Sequence, residues 1–130
     1  AIPENAGILQ KAGACVVIHS DDENGIQRLN QEAAKAQGDA RRAGIDISDA
    51  EVIRWLTLNP ATAMGIGQQT GSLEPGKMAD VVLWNGNPLS VYSRPDKVWI
   101  DGALLFDAAD PKRRPVSDFE LGQVGEGDVK

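Results

Sequence analysis

A chain of 130 residues with a formal net charge of −6, 25% charged residues and 42% hydrophobic residues has the length and balance of one globular domain. The acidic balance, with no basic stripe interleaved with aromatics, argues against a nucleic-acid partner, and the single cysteine, Cys15, excludes a disulfide framework or a Cys-rich zinc site. No apolar stretch approaches a membrane span and no signal peptide is visible, so a cytoplasmic chain with no membrane partner is expected.

The spacing predicts a short helix from Pro3 to Ala12. Proline in the first turn forfeits no hydrogen bond, Glu4 suits the positive end of the helix dipole, and Gly13 ends the helix. Ala14 to Ser20 is short, apolar and rich in β-branched residues, which predicts a strand buried on both faces. Inside it Cys15 is expected to behave as a small buried hydrophobe. Asp21 to Gly25 reads as a turn. Ile26 to Ala43 reads as a helix, weakened at Gly38 by about 1 kcal/mol relative to alanine and ended by Gly44. Ser48 and Glu51 have the spacing of a capping box for a helix from Asp49 to Leu58. Asn59-Pro60 is expected to break that helix, since proline cannot continue it, before a further helical turn from Ala61 to Met64.

The character changes after Gly67. Val81 to Trp84 and Val98 to Ile100 read as strands, Asp101-Gly102 as a tight hairpin with positive φ, and Leu104 to Phe106 as the return strand. Trp55, Trp84 and Trp99 each lie in an apolar segment and are expected to pack. From Asp107 onward the chain is rich in Pro, Gly and charge, which predicts a partly mobile tail that includes the solvated run Lys112-Arg113-Arg114.

Chemistry concentrates at His19-Ser20-Asp21-Asp22. His19 and Asp21 are two residues apart, so an extended backbone puts them on one face. Strand ends are where barrels of alternating strands and helices carry catalytic groups. A Ser-Asp-Asp run ahead of a helix is also a common N-cap cluster, and the residues alone leave both readings open. Asp22 and Glu23 suit a cap and a first turn. Downstream, Glu74-Pro75-Gly76-Lys77 suits a turn but lacks the spacing of a phosphate-binding loop, and Asp80 is expected to be a structural carboxylate that bonds local amides.

Four segments in order, AGACVVIHSDDENG, LTLNPATAMGI, TGSLEPGKMADVVLWNGNP and KVWIDGALLF, resemble the C-terminal portion of metal-dependent amidohydrolases, in the imidazolonepropionase-like branch, from about Pro3 to Phe106. The resemblance implies an α/β to α+β chain that is an incomplete fold by itself. Residues 1–66 would be the last strand and helices of a (β/α)8 barrel, 67–106 the C-terminal part of a small β-sandwich, and 107–130 a polar tail. The implied reaction is metal-assisted hydrolysis of a non-peptide carbon–nitrogen bond in an amide or cyclic amide. Asp21 matches the family's aspartate on the last barrel strand, which touches the metal, takes a proton from the metal-bound water and passes it to the leaving group. Metal coordination brings a bound water's pKa towards 7, and a carboxylate within reach then acts as general base. His19 would face the substrate.

The family's site also needs a His-x-His pair, a bridging lysine or glutamate, and two further histidines. This chain has one histidine and opens without Met, so it reads as a fragment. Asp21 is expected to meet a divalent metal, zinc first, only with the missing N-terminal ligands. Alone, the chain is expected to bind none and to be inactive. Its expected partners are the missing barrel portion or a second copy of itself, as a homo-oligomer, because exposed sheet edges invite pairing. The alternative is a non-catalytic, self-associating α+β module derived from the same scaffold, in which Asp21 only caps a helix.

Overall fold

The structure, a computed structural model, describes residues 2–113. Helices come first: α1 (Asn5–Lys11), α2 (Glu23–Ile26), α3 (Leu29–Arg42), α4 (Asp49–Leu56) and α5 (Leu58–Ala63). Strands β1 (Val81–Trp84), β2 (Pro95–Ile100) and β3 (Ala103–Asp107) follow. Segregation of helices from an antiparallel sheet puts the described chain on the α+β side of the expectation.

The core lies among the helices. Ala33 and Ala40 of α3 and Val52 and Trp55 of α4 are fully buried, and Val16, Ile47 and Leu89 close around them. Small residues let the helices approach closely. A methyl group at Gly7 of α1 would overlap the Ala40 side chain, so α1 and α3 meet nearly backbone to backbone. The capping box forms as the sequence predicts: the Glu51 amide donates to Ser48 Oγ at 3.3 Å, and the Ser48 amide donates to Glu51 Oε2 at 2.9 Å. The side-chain hydrogen bond from Ser48 is the main reason that the Glu51 carboxyl titrates below its ordinary range.

Helix α1 starts at Asn5 and not at Pro3, which leaves Glu4 as the residue ahead of its first turn, and two further helix boundaries differ more from the prediction. The helix expected over 26–43 is split, with α2 ending before a non-helical Arg28 (φ −125, ψ 21). The Gly25 amide donates to Asp22 Oδ1 at 2.6 Å, which starts a helical turn three residues early. The Arg28 amide then closes a tight i→i+3 bond to the Gly25 carbonyl, and that bond ends the turn. The second difference is the break between α4 and α5. It falls at Thr57 (φ −127, ψ −86) and not at Asn59-Pro60. A proline ring collides with the carbonyl four residues earlier, here Leu56, so the helix must break upstream of it. Pro60 then sits in the first turn of α5, where its missing N–H costs nothing.

The sheet is a meander in the order β1-β2-β3, antiparallel throughout. Asp101 (φ 49) and Gly102 (φ 79) both have positive φ, as a tight hairpin turn requires. β2 starts at Pro95, earlier than expected, and β3 runs through Asp107, one residue into the expected tail. The Lys97 ammonium lies 3.0 Å from Asp107 and holds its carboxyl below the ordinary range. Arg113, expected to be solvated, donates to the Leu104 carbonyl and pairs with Asp110. The rest of the expected tail, residues 114–130, lies outside the described residues.

The β1–β2 connection fastens the sheet to the helices. It inserts Leu89 into the core, offers the Pro88 carbonyl to Asn30 Nδ2 at 2.6 Å, and sends Asn87 Nδ2 to Asp49 Oδ2 at 2.7 Å. Gln37 Nε2 donates to the other Asp49 oxygen at 2.8 Å. These two donors, Gln37 first, lower the Asp49 pKa. Upstream of β1, Lys77 Nζ donates to the Gly67 carbonyl at 2.7 Å and to Ser72 Oγ at 2.6 Å. Asp80 accepts from the Asp101 amide at 2.9 Å and from Thr70 Oγ1 at 3.0 Å, which is the structural role read for it.

Candidate functional site

Residues 14–20 do not join a sheet, which corrects the strand expected there. Burial is uneven along the segment: Val16 is buried, Val17 and Ile18 are half-buried with Ile18 packed against the core, and Cys15, His19 and Asp21 are exposed. One face is therefore covered and not two, because among the described residues no strand lies beside this segment. Its backbone groups bond to the helices beneath it. The Ile18 amide donates to the Trp55 carbonyl at 3.2 Å, and Asn59 Nδ2 donates to the Val16 carbonyl at 2.7 Å. Cys15 is exposed, which corrects its placement as a buried hydrophobe; its thiol lies 3.8 Å from the Asn59 carbonyl.

The period of two puts His19 and Asp21 on one side, as the sequence indicates. His19 Nδ1 lies 3.3 Å from Asp21 Oδ1, and the two side chains are 72% and 92% exposed. So exposed a pair gains little stability from its contact. Its carboxylate and imidazole are accessible to whatever covers this face. The helix cap that Asp21 might have supplied is made by Asp22. Ser20 Oγ donates to the Asp22 carbonyl at 2.8 Å and completes this turn.

The amidohydrolase family model matches residues 4–105 of the chain. The chain belongs to the amidohydrolase family. Among relatives of this amidohydrolase chain, urease subunit alpha 2 of Streptomyces coelicolor is 32% identical over 120 residues, which are 85% of this chain and 20% of that protein. The amidohydrolase tasK of Hapsidospora irregularis is 44% identical over 52 residues, 40% of this chain and 5% of that protein. Among solved structures, an amidohydrolase from Thermotoga maritima superposes with a TM-score of 0.69 at 32% identity, covering 81% of this chain and 26% of its own. A zinc-bound adenosine deaminase from Xanthomonas campestris gives 0.66 at 25% identity, covering 89% and 30%. The chain thus spans less than a third of each of these proteins.

Enzymes of this family are generally metal-dependent. Among the described residues, the donor set does not by itself fit a catalytic metal. His19 and Asp21 are two donors, three protein ligands are the norm, and among the described residues no group of three His, Cys, Asp or Glu side chains converges. No helix among the described residues is long and apolar enough to cross a membrane.

The reading of the sequence missed Asn59. The Asn59-Pro60 pair reads as a helix break only, yet the Asn59 side chain is buried and bonded to the segment that carries His19 and Asp21. The available signal was chemical. A buried amide must find a partner, and an Asn fixed in place by a following Pro has few local ones.

Proposed function

We propose that this chain supplies the acid–base carboxylate of an amidohydrolase that cleaves a non-peptide carbon–nitrogen bond, in an amide or cyclic amide. The observation that carries this reading is the accessible His19–Asp21 pair, at the end of a segment seated on helices within the family-matched region. Asp21 acts as general base: its carboxylate takes a proton from the attacking water and returns it to the leaving nitrogen. His19, on the same face, contacts the substrate.

The finer placement belongs to the same proposal. Residues 1–66 serve as the last strand and helices of a (β/α)8 barrel and residues 67–106 as part of a small β-sandwich. The TGSLEPGKMADVV stretch supports the β-sandwich assignment, and the four ordered segments together underlie the imidazolonepropionase-like branch. Residues 14–20 become a true strand once neighbouring barrel strands cover their open face. The remaining barrel portion is then the partner, a divalent metal, zinc first, is held chiefly by its ligands, and the assembly works in the cytoplasm. A second reading, a self-associating module without catalysis, is favoured by the open sheet, where Val82, Leu83, Ile100 and Leu105 are all exposed.

Transplanting residues 4–105 into the matching segment of the Thermotoga maritima amidohydrolase tests the proposal, with a panel of amides and cyclic amides as substrates. Hydrolysis that depends on Asp21 supports it. A folded, active chimera indifferent to Asp21→Asn overturns it.

A further inference from the structure

Hydrogen bonds to the helices hold the segment that carries His19 and Asp21 from below, and one of them comes from a side chain. Asn59 is buried at the start of α5, and its Nδ2 donates to the Val16 carbonyl at 2.7 Å. One turn earlier in the chain, the Trp55 carbonyl accepts from the Ile18 amide at 3.2 Å. These two bonds fall on alternate residues of one segment, Val16 and Ile18, whose side chains also pack in or against the core. The opposite side displays His19 and Asp21. The α4–α5 break also acts here. Thr57 departs from helical geometry between the two anchors, which lets Trp55 and Asn59 both reach the same segment.

We propose that Asn59 is a positioning residue: its side-chain amide straps residues 16–18 onto the α4–α5 corner and so fixes where His19 and Asp21 stand. This rests on the proposed role of Asp21 for its functional meaning, but not for its physical content. Backbone carbonyls that find no neighbouring strand need another donor, and Asn59 supplies it. Pro60 disfavours the helical region for the residue before it, Asn59, in any unconstrained chain. The buried hydrogen bond to Val16 offsets that bias.

Amide hydrogen exchange by NMR on the full 130-residue chain tests the strap. Asn59→Asp keeps the shape and removes the donor, and Ser48→Ala weakens α4 without touching the strap. Asn59→Asp is expected to speed exchange at Ile18 roughly tenfold relative to amides of α3 and to shift the backbone resonances of His19 and Asp21. Ser48→Ala should change Ile18 no more than it changes the rest of the core. Equal acceleration at Ile18 and throughout α3 in Asn59→Asp, or none at all, overturns the proposal. If the variant does not fold, the unmutated chain decides: the Asn59 side-chain amide must show slow exchange, and rapid exchange of both its protons refutes the bond. Asp21→Asn should leave Ile18 protection unchanged, so failure of the catalytic reading and failure of the strap are separately visible.

Discussion

Trp55 is the side chain whose removal should damage this fold most. It is fully buried at the meeting point of α1, α4 and the segment 14–20, and its Nε1 donates to Gln10 Oε1 at 2.9 Å. Truncating a fully buried tryptophan to alanine costs about 3–5 kcal/mol, the lost transfer term plus the cavity left behind. A folded unit of roughly one hundred residues has a stability of about 5–15 kcal/mol. With a urea slope of about 1.5 kcal/mol per molar, Trp55→Ala should lower the unfolding midpoint by about 2–3 M. Trp55→Phe keeps most of the packing and loses the bond to Gln10, a loss of about 1–2 kcal/mol and about 1 M. Far-UV circular dichroism at one fixed protein concentration is the assay, since any self-association would make the midpoint concentration-dependent. A shift under about 0.5 M for Trp55→Ala would refute the claim that the core is centred on this residue.

Three further outcomes follow from the packing and charges. Gly71→Ala should cost about 2–4 kcal/mol, because φ is 93 and a Cβ would lie 3.0 Å from both Leu58 Cα and the Thr57 carbonyl oxygen; Gly76→Ala, with φ 91 and open space, should cost less than half as much, as thermal melts would show. The Asp49 carboxyl is held below its ordinary range by bonds from Gln37 and Asn87. A depressed folded pKa stabilises above the unfolded value and is lost as pH falls through the folded one, so the difference in urea midpoint between the wild type and Asp49→Ala should be larger at pH 7 than at pH 3. Equal differences would remove this account of Asp49. Zinc or a chelator should move the melting temperature of the chain by less than about 1 °C, since two exposed donors fall short of a metal site; stoichiometric zinc that disappears in Asp21→Asn would contradict the donor count.

Local chemistry was legible where it is self-contained. Ser48 and Glu51 satisfy each other across one turn, and Asp101-Gly102 needs only its own positive φ, so neither depends on distant residues. Asp80 was read as a structural carboxylate, and it is one, but its partners are Thr70 and the Asp101 amide across the β unit and not its sequence neighbours. The errors lie where tertiary context decides. Residues 14–20 have the composition of a strand buried on both sides, yet without neighbouring strands only the Val16–Ile18 side is covered, and Cys15 stays exposed. The break at Thr57 was misplaced because the Asn-Pro pair marks the cause, while the steric conflict acts on the carbonyl of Leu56. The long helix expected over 26–43 was split by Asp22, a cap whose early reach to Gly25 periodicity does not register. The spacing of His19 and Asp21 on one face was visible, but the grip of Asn59 beneath them was not, since 43 residues separate Asn59 from Val16.

The proposed role of Asp21 is that of an acid–base carboxylate inherited with the amidohydrolase scaffold. The most direct measurement is kcat for the Thermotoga maritima amidohydrolase carrying residues 4–105 of this chain, with Asp21 and with Asp21→Asn. Loss of a positioned general base predicts a fall of about 10²–10⁴-fold, with substrate KM and thermal stability nearly unchanged. Equal kcat in the two chimeras would contradict the account and leave His19 and Asp21 as surface residues of an inherited scaffold.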